Sequence, residues 1–146
     1  MTPPVSTDRI QATTVVALDP VVAFEVFTDE IDAWWRRGPR FRWLTEAEGT
    51  LRFEGGEGGR LVEIRDDATG EGFEVGRVLV WKPAERLVFE LRARSFEPDQ
   101  RTEVEIVFEA EGEGTRVTVE HRGWDRLPET VAVFWQVPFI ICAYVS

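Results

Sequence analysis

In TEVEIVFE (102–109), Val104, Ile106 and Phe108 are interleaved with Glu103, Glu105 and Glu109. An extended chain therefore puts those three apolar side chains on one side and the carboxylates on the other. The same period of two runs through GTLRFEG (49–55), RLVEIRD (60–66), GFEVGRVLVW (72–81), RLVFELRARS (86–95), TEVEIVFEA (102–110) and TRVTVEHR (115–122). Between them lie GGEGG, DATGEG, KPAE, FEPDQ and EGEG, the glycine, proline and acidic residues that tight turns need. Six strands in succession, joined by connections this short, specify a meandering antiparallel sheet.

The segments flanking that sheet are of a different kind. RIQATTVVAL (9–18) is rich in β-branched residues and reads as a further strand. Asp19-Pro20 then marks a helix start, with Val21, Phe24 and Phe27 as its apolar face. A second short helix is expected over EIDAWWRR, capped by Thr28 or Asp29 and ended by Gly38-Pro39. The chain closes on LPETVAVFWQVPFIICAYVS, in which residues 130–146 carry no charge and Pro138 would kink a helix. No repeat or linker divides the 146 residues, so one domain over 1–146 is expected.

Composition narrows the function classes. A formal charge of −10 and a pI near 4.6 repel phosphate backbones and anionic membranes, so no nucleic-acid partner is expected. The uncharged C-terminal run is interrupted by Gln136 and Pro138 and falls short of the ~20 apolar residues of a membrane span. Cys142 is the only cysteine, which precludes an intrachain disulfide. With an N-terminus unlike a signal peptide, this points to the cytoplasm.

Several stretches together resemble a known family: DAWWRRG, FEGGEGGRLVEI, EVGRVLVWKPAERLVFEL and TEVEIVFEAEGEGTRVTVEHRGW. From about residue 9 to residue 128 the chain is similar to the SRPBCC superfamily of START-like domains, in its branch of heat-shock chaperone ATPase activator homologues. That resemblance implies an α+β helix-grip fold. A curved antiparallel sheet of six or seven strands, with two short helices, wraps a C-terminal helix. It further implies a hydrophobic small-molecule or lipid pocket in many members, chaperone regulation in a few and cyclase-type chemistry in others.

DAWWRRGPRFRW (32–43) concentrates three tryptophans and four arginines. Neighbouring helical residues point about 100° apart, so Trp34 and Trp35 face different surroundings, one under the sheet and one at a cavity or its lip. Burying such a ring removes ~150–250 Å² from water, worth roughly 4–6 kcal/mol, so packing alone also accounts for both. The arginines either solvate the rim and pair with carboxylates or suit an amphiphile with an acidic head. Parity adds Phe53, Phe89, Leu91, Ile106, Phe108 and Val119 as inward pocket candidates, with Trp135 from the terminal segment. Trp81 and Arg77 share one parity in the strand 72–81; a slip across Gly76 would instead turn Val78 and Val80 inward.

His121, the only histidine, continues the parity of Val117 and Val119 and is expected to face inward, as a hydrogen-bonded core residue or as a proton-transfer group. GGEGGR lacks the spacing of a phosphate loop and leads into a strand, and Ser6, Ser95 and Ser146 sit in no nucleophile motif. With one His and one Cys, no metal, cofactor or catalytic set is expected. The favoured expectation is a binding module for a hydrophobic or aromatic small molecule. The alternatives are a cyclase or dehydratase using His121 or Arg77, and a protein that regulates a chaperone ATPase. Homodimerisation through the uncharged C-terminal segment is a further expectation.

Overall fold

The computed structural model describes residues 9–34, 49–66, 68–92 and 101–123. Seven strands follow the alternating segments: β1 (Arg9–Val16), β2 (Thr50–Phe53), β3 (Arg60–Asp66), β4 (Glu71–Lys82), β5 (Arg86–Leu91), β6 (Thr102–Glu111) and β7 (Gly114–Arg122). They form one antiparallel sheet in the order β1-β7-β6-β5-β4-β3-β2. Strands β2 to β7 meander as expected, and β1 closes the far edge by pairing with β7, Ala12 opposite Val119. The path from β1 to β2 must therefore run from one edge of the sheet to the other. Two helices, α1 (Pro20–Asp29) and α2 (Ile31–Trp34), lie on that path.

Helix α1 starts as its sequence requires. Asp19 accepts a hydrogen bond from the Val22 N–H at 3.0 Å, and Pro20 opens the first turn. Its buried face is Ala23, Phe24 and Phe27, continued by Ile31 in α2, while Val21 is exposed. A repeat of three drifts by about 60° per step on a helix of 3.6 residues per turn, so Val21 and Phe27 cannot share a face. The boundary between the helices also differs from expectation. Thr28 and Asp29 cap nothing and belong to α1's last turn, where the Thr28 hydroxyl donates to the Phe24 carbonyl at 2.9 Å. Trp34 ends α2; its side chain, Trp35 and the rest of the arginine-rich stretch, and the terminal segment with Trp135, Cys142 and the expected C-terminal helix lie outside the described residues.

The core lies between α1 and the inward face of the sheet. Leu87, Phe89 and Leu91 of β5, Val104, Ile106 and Phe108 of β6, and Val117 and Val119 of β7 are all buried there. Their parity is the one that simple alternation assigns. Strand β4 departs from alternation twice. Leu61 pairs with Gly76 and Val62 with Glu74, so Val75 is an extra residue against β3. Val78 pairs with Phe89 and Val80 with Val88, so Leu79 is an extra residue against β5. Each bulge inverts the parity of the residues beyond it.

Candidate functional site

The inward face is a wall of rings drawn from four strands and one helix. Phe27 and Phe24 of α1 each meet Phe108, with ring centroids 5.5 and 5.3 Å apart. Phe24 stands edge-on to Trp81 at 5.3 Å, Trp81 meets Phe53 at 5.8 Å, and Phe53 meets Phe89 at 5.3 Å. Each tilted or edge-to-face pair adds about 0.5–1.5 kcal/mol to the burial of its rings. Phe53, Trp81, Phe89, Leu91, Ile106, Phe108 and Val119 are thus brought together on one surface, with Trp81 partly buried at its margin.

Arg77 is not among them. It lies opposite Glu90 on the outer face, with 57% of its side chain exposed, and donates from Nη2 to Glu74 at 3.0 Å. Trp81 and Arg77 are four residues apart and would share a face on a regular strand. The bulge at Leu79 separates them, turning Val78 and Trp81 inward and leaving Arg77 and Val80 on the other side. The slip sits at Val75 and Leu79, on either side of Gly76, and Val78, but not Val80, faces the core.

Among the described residues four buried polar residues interrupt the apolar wall: His121, Thr102, Glu63 and Thr115, whose hydroxyl donates to the Leu18 carbonyl at 2.7 Å. His121 is fully buried, and its Nε2 lies 2.6 Å from the hydroxyl oxygen of Thr102, a bond whose donor depends on the imidazole tautomer. Burial lowers the imidazole's pKa to about 3, so the ring is neutral at physiological pH. The third, Glu63, is fully buried on β3, opposite Leu51. Neither Thr102 nor Glu63 is among the site residues expected from sequence. Thr102 shares the parity of Val104 and is findable that way. Glu63 shares that of Leu61, but in RLVEIRD, where Val62 and Ile64 are buried as well, parity alone does not separate the two faces.

The outer face is built on charge. Arg122 of β7 reaches Glu103, Glu105 at 2.7 Å and Glu120 at 3.4 Å, and Glu105 also accepts from Arg86 of β5. Burial works against the ionised Glu105, but the hydrogen bonds from Arg122 and Arg86 outweigh it and hold the carboxyl below its usual range. Burial likewise disfavours the charge on Arg122, and its bonds to Glu105 and Glu103 more than compensate, raising its pKa. At one end of this face lies a groove of about 280 Å³ lined by Glu74, Gly76, Arg77, Glu90, Arg92 and Arg101. Among the described residues no cluster of His, Cys, Asp and Glu could hold a metal ion, and no helix is long and apolar enough to cross a membrane.

Solved structures share this architecture. The Aha1 dimer from Colwellia psychrerythraea is 16% identical, with a TM-score of 0.62 over 94% of this chain and 92% of its own. PFC0360w, an HSP90 activator from Plasmodium falciparum, is 14% identical, with a TM-score of 0.59 over 93% and 85%. Txn09, an anthrahydroquino-gamma-pyrone synthase, is 27% identical, with a TM-score of 0.57 over 97% and 91%. No curated protein sequence matches significantly. The family model described as Activator of Hsp90 ATPase homolog 1-like protein matches residues 18–136, most of the chain. With the helix-grip sheet and its helical crossing already in view, the chain belongs to that family, within the SRPBCC superfamily.

Proposed function

We propose that this domain binds a hydrophobic or aromatic small molecule against the inward face of its sheet. The observation that carries the reading is the continuous run of rings from Phe27 through Phe108, Phe24, Trp81 and Phe53 to Phe89. Aromatic walls with few polar groups suit flat organic guests. His121 and Thr102 would supply one neutral hydrogen-bonding point in that wall. Similarity to Txn09, by its name a synthase of an aromatic polycyclic product, supports the same ligand chemistry. Ligand binding without turnover is the form we favour. Among the described residues the two fully buried titratable groups of the inward face, His121 and Glu63, stand on β7 and β3 with three strands between them in the sheet, so they are not neighbours as an acid–base pair would be.

A second reading, regulation of a chaperone ATPase, is favoured by the family match and by the likeness to PFC0360w. It would use the charged outer face. The proposal also keeps a cytoplasmic setting and self-association through the C-terminal segment. Native mass spectrometry of freshly purified protein, followed by tryptophan fluorescence titration with a panel of polycyclic aromatic compounds and fatty acids, separates the readings. A co-purified mass or saturable quenching supports the pocket. No bound species from either source, together with stimulation of an Hsp90-type ATPase, transfers the function to the surface.

A further inference from the structure

The two edges of the sheet are finished differently. At one edge β2 is four residues long, and the Asp32 carboxylate of α2 accepts a hydrogen bond from the Leu51 N–H at 2.9 Å, so that edge is short and already engaged. At the other edge β1 runs for eight residues, about 27 Å, in unbroken register with β7. Every second residue of such a strand directs its N–H and C=O away from the partner strand. Among the described residues nothing but β7 bonds to the β1 backbone. Edges are ordinarily protected by charge, proline, a bulge or shortness. From Ile10 to Leu18 the chain has no charged residue and no proline, β1 has no bulge against β7, and Val15 on its outer face is 54% exposed.

We propose that β1 pairs antiparallel with β1 of a second copy of this chain, about a two-fold axis at Thr13, joining two sheets edge to edge. The charge pattern selects this occupant and this register. A chain of net charge −10 meets its own copy at the lowest electrostatic cost where both strands are neutral. About Thr13, residues 10–16 all find partners within β1, with Thr13 opposite Thr13 of the copy and Gln11 opposite Val15 of the copy. Strand β7 sets Glu120 beside Gln11 and Arg116 beside Val15. Each of the two rows through Gln11 and Val15 then reads Glu120, Gln11, Val15, Arg116 across the junction, with opposite charges at its ends. Centring the pair on Ala12 or Thr14 would oppose Gln11 to Thr13 or Ala17 and lose that match. The β-branched residues at 13–16 suit cross-strand contacts of this kind. The pairing is distinct from self-association through the C-terminal segment, since every residue it uses lies on β1 and β7.

The test is sedimentation equilibrium of the full chain. One strand pair makes a small interface beside the roughly 1,200–2,000 Å² of stable complexes, so a dissociation constant of about 10–100 µM is expected. Thr13→Lys and Thr13→Glu each set like charges opposite one another at the axis and should raise that constant at least about ten-fold. Thr13 is exposed, so both variants should keep the parent's urea midpoint, which is measured alongside. An equimolar mixture of the two variants should regain the dimer, because the two substituted side chains then carry opposite charges. A parent that stays monomeric up to about 1 mM would overturn the proposal. So would parent-like dimerisation by either variant, which places the contact on another surface, or a mixture that associates no more tightly than each variant alone.

Discussion

The two faces of one sheet solve the same problem by opposite means. At β6, residues one position apart go to different environments: Val104, Ile106 and Phe108 are buried in the core, while Glu103 and Glu105 are held by Arg122 on the outside. The inward side is stabilised by area removed from water and by close packing, which act at any salt concentration. The outer side is stabilised by ion pairs that water and salt both weaken. A change on the inner face should therefore be read mainly in stability. A change on the outer face should be read mainly in charge, with little effect on whether the chain folds.

That contrast can be broken in several ways. Phe89→Ala removes a fully buried ring that touches Phe53 and should cost about 3–5 kcal/mol, seen as a lower midpoint in urea unfolding. The next effect concerns pH. In the folded protein His121 stays neutral down to about 3, whereas in the unfolded chain it takes up a proton near 6.5. Its contribution is complete above pH 6.5. Below that, the unfolded state binds the extra proton and stability falls by up to ~1.4 kcal/mol per pH unit. From pH 6.5 to the ordinary glutamate value of 4.5 this loss should dominate, and His121→Gln should flatten it. Should the parent be flat over that range, the imidazole is not held neutral by burial.

On the outer face the effects shrink. Arg122→Met leaves Glu103 and Glu105 beside each other without their shared cation and should cost about 1–3 kcal/mol at low salt, less in molar salt. A loss as large as that of Phe89→Ala, unchanged by salt, would mean that the two faces do not differ in the way described. Arg116→Gln, at an exposed pair with Glu111, should leave the unfolding midpoint where it was.

Legibility in the sequence tracks regularity of the backbone. In β6 and β7 alternation assigns every inward residue correctly, including His121, because neither strand contains a bulge in its pairing with the other. In β4 it fails, because Val75 and Leu79 each add a residue that no side-chain pattern announces. Alternation puts Arg77 inward on that account, while Trp81, of the same parity, is inward because the bulge at Leu79 intervenes. The helix boundary departs from expectation for another reason. Thr28 and Asp29 are good capping residues, but the Thr28 hydroxyl is used inside the helix, on the Phe24 carbonyl. Of the candidate site, the rings are legible as apolar positions; their mutual contacts and the His121–Thr102 pair depend on register between strands far apart in sequence, which one strand's pattern does not encode.

The place of β1 at the edge beside β7 bears on how the chain is made. Thr13 and Thr118, neighbours across that pair, are 105 residues apart. At a ribosomal rate of ~5–20 residues per second, the first strand waits roughly 5 to 20 seconds for its partner to be synthesised. Until then its backbone donors and acceptors are an open template for any extended peptide nearby. Completion of the sheet thus waits for β7, the last of its seven strands to be synthesised, and a product truncated before β7 would carry β1 unpaired and prone to aggregation.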